Sequence, residues 1–347
     1  MPATWGVSLV IEIVGITKTF VGRNSAFFHA EETRALRGIT LTIPTSGALA
    51  IIGESGCGKT TLGRILCGLE PHDGGDLVFD GVSLNGLSGN ERRAQLRKIQ
   101  MVHQDPYAAL NPVRTVEKAL TDPLKIQARR DGRSKHWIHD RARELLGQVG
   151  LDPDETIYKY PHNLSGGQRQ RVVVARALTV EPEALVADEA VSMIDVSLRL
   201  GILSLLNDLR RRLGITIIFI THDIAAARYV ARDGALCVIY RGEVFEYGDV
   251  DAVIQAPVNP YTQSLLSAVP VMRGLETPGP DRYIPQKAFE TASAEGSCLF
   301  SGRCKWVTDH CRARHPELAP ISDIPRLNRC FYPKARRVVA IPTREAR

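Results

Sequence analysis

Between Gly53 and Thr61 the chain reads GESGCGKTT: Gly53, Glu54, Ser55, Gly56, Cys57, Gly58, Lys59, Thr60 and Thr61. Glycine tolerates backbone angles that a Cβ forbids, so successive N–H groups in such a run can turn inward and form an anion nest. Lys59 adds a full positive charge suited to the β- and γ-phosphates, and the Thr60 hydroxyl can ligate Mg²⁺. The pattern G-x-x-x-x-G-K-T therefore implies a nucleoside triphosphate as ligand. A second anion-binding start occurs at Ser165, Gly166, Gly167 and Gln168. Ser165 is a good N-cap, the two glycines allow close backbone approach, and a helix behind them presents its positive end. One fold unit rarely aims two such sites at one phosphate, so the second is best read as serving a nucleotide held by another copy.

Acidic chemistry is concentrated at Asp188-Glu189. Neighbouring strand residues point to opposite sides, so the two carboxylates divide their tasks. Asp188 suits Mg²⁺ through water, and Glu189 suits an attacking water as base or orienter. Gln104 closes a short apolar run and could reach the Mg²⁺ or the same water. His222, in Thr221-His-Asp223, could hydrogen-bond the γ-phosphate. Phe20 either stacks on an adenine ring or is an ordinary strand-end aromatic; Phe27 and Phe28 are weaker candidates for that stacking. Four late cysteines are spaced Cys298-x5-Cys304-x6-Cys311-x18-Cys330.

The elements that must hold these residues are legible around them. Ala48–Ile52 is short, apolar and partly β-branched, which predicts a buried strand, and Thr61–Leu69 predicts a helix. Residues 8–20 alternate apolar and polar, and Gly38–Ile43 forms a second strand pattern; Gly22–Thr33 between them reads as a polar loop. Further strands are predicted over Asp76–Asp80, Ile99–Gln104, Ala184–Glu189 and Gly214–Thr221, with a hairpin from Ala235 to Gly248. Residues 115–150 read as helical, interrupted by a basic segment from Arg129 to Lys135. Two more helices follow, from Arg169 to Leu178 and from Leu198 to Leu213. Strand, phosphate loop and helix, followed by alternating strands and helices, indicate a mostly parallel sheet with flanking helices.

The whole chain sets bounds on these readings. Its 347 residues suggest two domains. The net charge of +6 is mild, and acidic and basic residues are interspersed. That balance is weak grounds for nucleic acid and is compatible with an anionic membrane nearby. The start lacks the pattern of a signal peptide. No apolar run approaches the roughly 20 residues of a membrane span. A soluble cytoplasmic chain is the expectation, and Cys57, Cys67 and Cys237 are scattered as that would allow.

In order and spacing, GESGCGKT, Gln104, LSGGQ, the Ala-Asp-Glu strand end, Ser192-Met-Ile-Asp195 and Thr-His-Asp resemble the ATP-binding cassette (ABC) ATPases over residues 8 to about 250. The resemblance implies a P-loop NTPase with a RecA-like α/β core, an antiparallel β subdomain, and a helical subdomain at about 105–170. It implies a head-to-tail cassette dimer that sandwiches each ATP between Gly53–Thr61 of one subunit and Ser165–Gln168 of the other. Carried onto this chain, Phe20 is the adenine-stacking aromatic and Gln104 the glutamine facing the membrane subunit. Asp188 binds Mg²⁺, with Thr60 and Gln104. Glu189 is the catalytic glutamate, Asp195 the aspartate of the loop after it, and His222 the switch histidine. Ala190 departs from the proline that commonly follows the glutamate.

Residues 251–347 narrow the resemblance. Asn259–Pro270 is similar to the segment after the cassette in oligopeptide and dipeptide importer ATPases, with Asn259 where histidine is usual. The four late cysteines resemble the C-terminal motif of that group. This implies a [4Fe–4S] cluster on Cys298, Cys304, Cys311 and Cys330, with structural zinc as rival and unligated thiols as the plain alternative. The expectation is the motor subunit of a bacterial importer on the cytoplasmic face of the inner membrane. Its partners would be a second, related ATPase subunit, two transmembrane permease subunits and a solute-binding protein, without nucleic acid. Peptides or related solutes are the expected cargo, with oligosaccharide or another solute as alternative. A non-transport ABC ATPase would need either a long heptad insertion or a second cassette, and neither is present. A regulatory subunit with a dead site conflicts with the intact Lys59, Glu189 and His222.

Overall fold

The structure is a computed structural model that describes residues 10–22, 32–43, 46–192, 194–268, 283, 296–321 and 324–338. Phe27 and Phe28, like most of the loop after Phe20, lie outside the described residues. The strands run in the order β1 (Ile11–Val21), β2 (Glu32–Ile43), β3 (Ala48–Ile52), β4 (Gly74–Phe79), β5 (Val82–Ser83) and β6 (Ile99–Val102). They continue with β7 (Ala184–Asp188), β8 (Thr216–Ile220), β9 (Ala235–Tyr240), β10 (Glu243–Asp249), β11 (Ala319–Ile321) and β12 (Ile324–Asn328). Two sheets form. The smaller is antiparallel, ordered β2-β1-β4-β5; the larger is ordered β11-β12-β10-β9-β3-β8-β7-β6.

In the larger sheet the neighbours β9-β3, β3-β8, β8-β7 and β7-β6 are parallel. Every residue of β3, β7 and β8 is buried. That burial explains why these runs are apolar apart from Thr216 and Asp188 at strand ends, since a strand covered on both faces has no solvent side to mark with polar residues. The helix Lys59–Leu66 packs Leu62, Ile65 and Leu66 into one core with Ile11, Ile13 and Phe79 of the small sheet and Val186 and Ile218 of the large one. A second core joins the helices between β6 and β7 to the other face, through residues such as Leu120, Leu145, Val172 and Phe219.

Several boundaries differ from the sequence reading. The helical region after residue 115 is two helices, Val116–Asp131 and Lys135–Gln148. The basic run does not interrupt the first as early as Arg129. Arg129 and Arg130 complete its last turn, where positive charge suits the helix dipole, and Gly132 ends it at φ 67°. Ser134 then caps the second helix by accepting from the Trp137 N–H at 3.2 Å. Strand β6 stops at Val102, where its pairing with Ala187 ends, so Gln104 sits in the loop beyond it. Strand β7 likewise stops at Asp188, and Glu189 lies past its end at φ 46°. The opposed directions of the two carboxylates thus involve a left-handed backbone step and not the strand pleat alone.

Beyond residue 250 the chain returns to the large sheet. Strand β12 pairs antiparallel with β10, matching Glu246 with Asn328 and Gly248 with Arg326. Glu246 is fully buried. It accepts hydrogen bonds from the Val258 and Asn259 N–H groups at 3.0 and 3.1 Å and from Arg326 Nη1 at 3.1 Å. Asn259 caps the helix Pro260–Ser267 and turns its amide onto Phe245 O and Asn328 Oδ1, at 3.0 and 2.9 Å. Tyr240, Phe245, Tyr261 and Phe300 pack ring against ring at 4.4–5.7 Å, joining β9 and β10 to that helix and to the segment near residue 300.

Burial pushes the Glu246 carboxyl above its ordinary range, against the pull of Arg326. Removing one partner of a buried ion pair strands the other without solvent. Arg326→Met is therefore expected to cost about 3–5 kcal/mol, and Glu246→Gln in the same chain to restore a good part of it. Urea unfolding followed by tryptophan fluorescence checks this; an Arg326→Met protein as stable as the parent would count against the pair as a structural anchor.

Candidate functional site

The loop after β3 crosses into the helix Lys59–Leu66 through Gly58, at φ 103°, so the first N–H groups of the helix face outward. A Cβ on Gly58 would run into the Ala35 carbonyl oxygen and come within 2.9 Å of Leu36. A Cβ on Gly53 would strike the Ile239 carbonyl and lie 2.7 Å from Cys57 Sγ. These two glycines are required by close backbone approach, whereas Gly56, at φ 78°, has open space around it. Lys59 is buried within the loop, and its ammonium donates to Gly53 O at 2.9 Å and Glu54 O at 2.8 Å.

In front of the loop lies a cleft of about 560 Å³. Its wall includes Phe20, Ser55, Gly56, Gly58, Lys59, Thr60, Thr61 and Glu189. Arg34, Arg37 and Arg241 join Lys59 on it, against Glu32 and Glu189, so the net charge of the wall favours an anion. Phe20 stands at this wall, 41 % exposed, with Lys18 Nζ 5.2 Å from its ring centre. The exposure leaves a ring face for a flat ligand, which a buried strand-end aromatic would lack.

Of the strand-end residues only Glu189 lines this cleft, and Asp188, Gln104 and His222 are joined to it by hydrogen bonds. Thr60 Oγ1 donates to Asp188 Oδ1 at 3.2 Å. Burial raises the Asp188 carboxyl above its ordinary value, and the Thr60 hydrogen bond opposes that rise. A cation at this point would offset the desolvation, so Thr60 and Asp188 suit Mg²⁺. Glu189 belongs to another network. Its Oε2 accepts from Gln104 Nε2 at 3.0 Å, and its Oε1 lies 3.3 Å from His222 Nδ1. Gln104 Nε2 also approaches Ser192 Oγ at 3.3 Å. Gln104, Glu189 and His222 come from the ends of three adjacent strands, β6, β7 and β8, which explains how residues 118 apart in sequence meet.

Ser165, Gly166, Gly167, Gln168 and Asp195 are not on this wall. Ser165 Oγ accepts from the Gln168 N–H at 3.2 Å, while Gln168 Oε1 accepts from the Ser165 N–H at 3.0 Å. This reciprocal capping leaves the Gly166 and Gly167 N–H groups at the open helix end. Arg169, which sequence reasoning did not single out, fixes that turn. It is buried, donates to Pro161 O at 2.9 and 2.7 Å and to Leu164 O at 3.1 Å, and stacks on Tyr107 at 3.8 Å. Asp195 is exposed at the start of the helix Val196–Leu213 and makes no side-chain cap bond there.

Cys298, Cys304, Cys311 and Cys330 line one small cavity, of about 30 Å³, together with Phe245, Phe300, Trp306 and Phe331. Burial pushes up the thiols of Cys298, of Cys304 (to about 11) and of Cys330 (to about 12). Backbone N–H groups point at these sulfurs from Phe300 and Ser301, Trp306 and Tyr332, the last at 3.4 Å. Among the described residues, no group of three or more His, Cys, Asp or Glu side chains is arranged to hold a metal ion.

Residues 36–192 match the family described as "ABC transporter", and residues 245–311 the "Oligopeptide/dipeptide transporter, C-terminal region". The "Probable peptide ABC transporter ATP-binding protein y4tS" of Sinorhizobium fredii is 39 % identical over 84 % of this chain and 80 % of its own length. The "Di/tripeptide transport ATP-binding protein DppF" of Pseudomonas aeruginosa is 37 % identical over 87 % and 92 %. Among solved structures, the dimeric post-hydrolysis state of the ATP-binding cassette MJ0796, bound to ADP and Pi, is similar. It has a TM-score of 0.59 at 30 % identity, covering 69 % of this chain and 98 % of that one.

The two tight glycines and the open one make a direct contrast. An alanine at positive φ costs on the order of 1–2 kcal/mol, so Gly56→Ala should weaken nucleotide binding by about tenfold. Gly58→Ala adds a backbone clash and should weaken it by more than about a hundredfold. Titration with a fluorescent ATP analogue compares them, and equal losses would contradict the geometry.

Proposed function

The chain belongs to the ABC transporter ATP-binding family, and from that premise we propose that it is the ATP-hydrolysing motor of a bacterial importer of peptides. The observation that carries the reading is the meeting of two networks at one cleft, Lys59-Thr60-Asp188 on one side and Gln104-Glu189-His222 on the other. Lys59 and the N–H groups of the phosphate loop hold the β- and γ-phosphates. Thr60, Asp188 and Gln104 would hold Mg²⁺, which when bound neutralises charge on the phosphate oxygens. Glu189 orients the attacking water and takes its proton, while His222 and Gln104 keep its carboxylate facing the cleft. Phe20 stacks on the adenine.

The turn at Ser165–Gln168 and Asp195 act on the nucleotide of an opposing cassette. Support comes from their position off the cleft wall and from the similar cassette, which was solved as a dimer with ADP and Pi. That opposing cassette is a related chain. The other partners are two transmembrane permease subunits and a solute-binding protein. Among the described residues no helix is long and apolar enough to cross a membrane, in keeping with a subunit docked on the cytoplasmic face of the inner membrane. Peptide cargo rests on the names of the relatives and on the matched C-terminal region.

In this reading Cys298, Cys304, Cys311 and Cys330 are the residues that would hold a [4Fe–4S] cluster. Four thiols on one cavity, with N–H donors aimed at three of them, form a donor set of the right chemistry. As placed, these thiols are not arranged to hold a metal ion. When bound, the cluster would tie the segment Cys298–Cys311 to Cys330.

Two measurements test these assignments. Glu189→Gln is expected to abolish turnover in the assembled transporter, by roughly a thousandfold or more, while ATP binding stays near the parent value. Near-parental hydrolysis would remove Glu189 from its role. Anaerobic purification should yield brown protein with about four irons per chain; a colourless, iron-free chain would leave the thiols unligated.

A further inference from the structure

The phosphate loop is gripped from a part of the chain that ABC chemistry does not require. Arg303, between Cys298 and Cys304, reaches back 249 residues to Glu54, the second residue of the loop. Its Nη2 donates to Glu54 Oε1 at 2.7 Å and its Nη1 to Glu54 Oε2 at 2.9 Å, a two-pronged pairing that fixes carboxylate orientation as well as distance. The guanidinium lies 5.8 Å from the Tyr240 ring and 5.5 Å from the Phe300 ring, and its Nη1 is 3.5 Å from the Tyr240 hydroxyl. The Arg303 side chain is only 20 % exposed. The pairing is therefore screened less than an open surface ion pair would be.

A second contact acts on the same residue. The Glu54 N–H donates to the hydroxyl of Tyr261 at 3.0 Å. Tyr261 is wholly buried, in the helix that Asn259 caps, and its ring packs on Tyr240 at 4.4 Å. Glu54 is thus held by its carboxylate and by its main chain, both from residues after 250. Its carbonyl oxygen in turn accepts from Lys59 Nζ at 2.8 Å. The contacts run without a gap from the C-terminal segment to the ammonium that faces the phosphates.

We propose that Arg303 and Tyr261 are positioning residues for the phosphate loop, holding Glu54 so that Lys59 and the loop N–H groups are set for ATP. Neither residue touches the nucleotide; each acts through Glu54. The inference rests on the reading of Gly53–Thr61 as the phosphate site. Because the clamp organises a ground-state binding loop, its loss lowers ATP affinity and raises KM, with little change in the rate at saturating ATP.

The test uses the full chain with Mg²⁺ and a fluorescent mant-ATP probe, and the assembled transporter for kinetics. Arg303→Met should weaken binding by about tenfold, and Arg303→Lys, a single-point donor, by about threefold. Tyr261→Phe removes one oxygen from a buried ring, keeps the packing, and should also cost about threefold. In the transporter, KM for ATP should rise by the same factors while kcat stays within about twofold. In a Glu54→Gln background, Arg303→Met should add less than about twofold, because the two residues act as one unit. Should Arg303→Met prove unfolded, the Tyr261→Phe and Arg303→Lys titrations decide. The proposal is overturned by normal affinity in folded Arg303 and Tyr261 variants, or by full additivity over Glu54→Gln. Lys59→Ala separates the two levels. If it binds mant-ATP normally, the phosphate-site reading fails and the clamp with it; if it loses binding while the clamp variants do not, the clamp alone fails.

Discussion

Strands β3, β7 and β8 run parallel and are buried along their whole length, and the one carboxylate among them, Asp188, is the last residue of β7. Charge is therefore displaced to where the strands end. In a parallel sheet all those ends lie on one side. The loop Gly53–Thr61 follows β3, Asp188 closes β7 with Glu189 next, and His222 follows β8 by two residues. The loop and Glu189 line one cleft, and Asp188 and His222 join it through hydrogen bonds to Thr60 and Glu189, because the apolar sheet leaves these groups no other exit. The left-handed step at Glu189 refines this. It lets Asp188 face Thr60 while Glu189 turns toward Gln104 and His222.

The same economy explains why this part of the molecule was legible in the sequence. A glycine run between an apolar strand and a helix, or a carboxylate pair ending an apolar strand, is a local pattern with a local cause. The capping of Ser165 by Gln168 is equally local, within three residues. The misplaced boundary at Arg129–Lys135 had its signal within the segment, where basic residues complete a helix, Gly132 ends it and Ser134 caps the next. Other misses had a more distant cause. The buried role of Arg169 depends on the carbonyls of Pro161 and Leu164, which only the folded turn aims at it.

The region after residue 250 was legible in motif but not in architecture. Asn259 departs from the usual histidine, yet its amide is suited to its place: one oxygen caps a helix while the nitrogen bridges β10 and β12. The pairing of β12 with β10 has no local signature, since a five-residue strand with a proline in it reads as loop. Likewise, no spacing rule links residue 54 to residue 303. Long-range pairings of this kind are set by which edge of the sheet remains open, and that is known only once the rest has formed.

That open edge has a consequence for how the protein is made. Strand β10 emerges from the ribosome well before β12, and until β12 arrives its outer hydrogen-bonding groups are unpaired and the Glu246 carboxylate, held by the Val258 and Asn259 N–H groups, lacks its cationic mate Arg326. A chain interrupted in synthesis between them would carry a complete phosphate loop beside a bare, aggregation-prone strand. Until Arg326, 80 residues beyond Glu246, is in place, that edge of the sheet stays open, and it is the region after residue 250 that closes it.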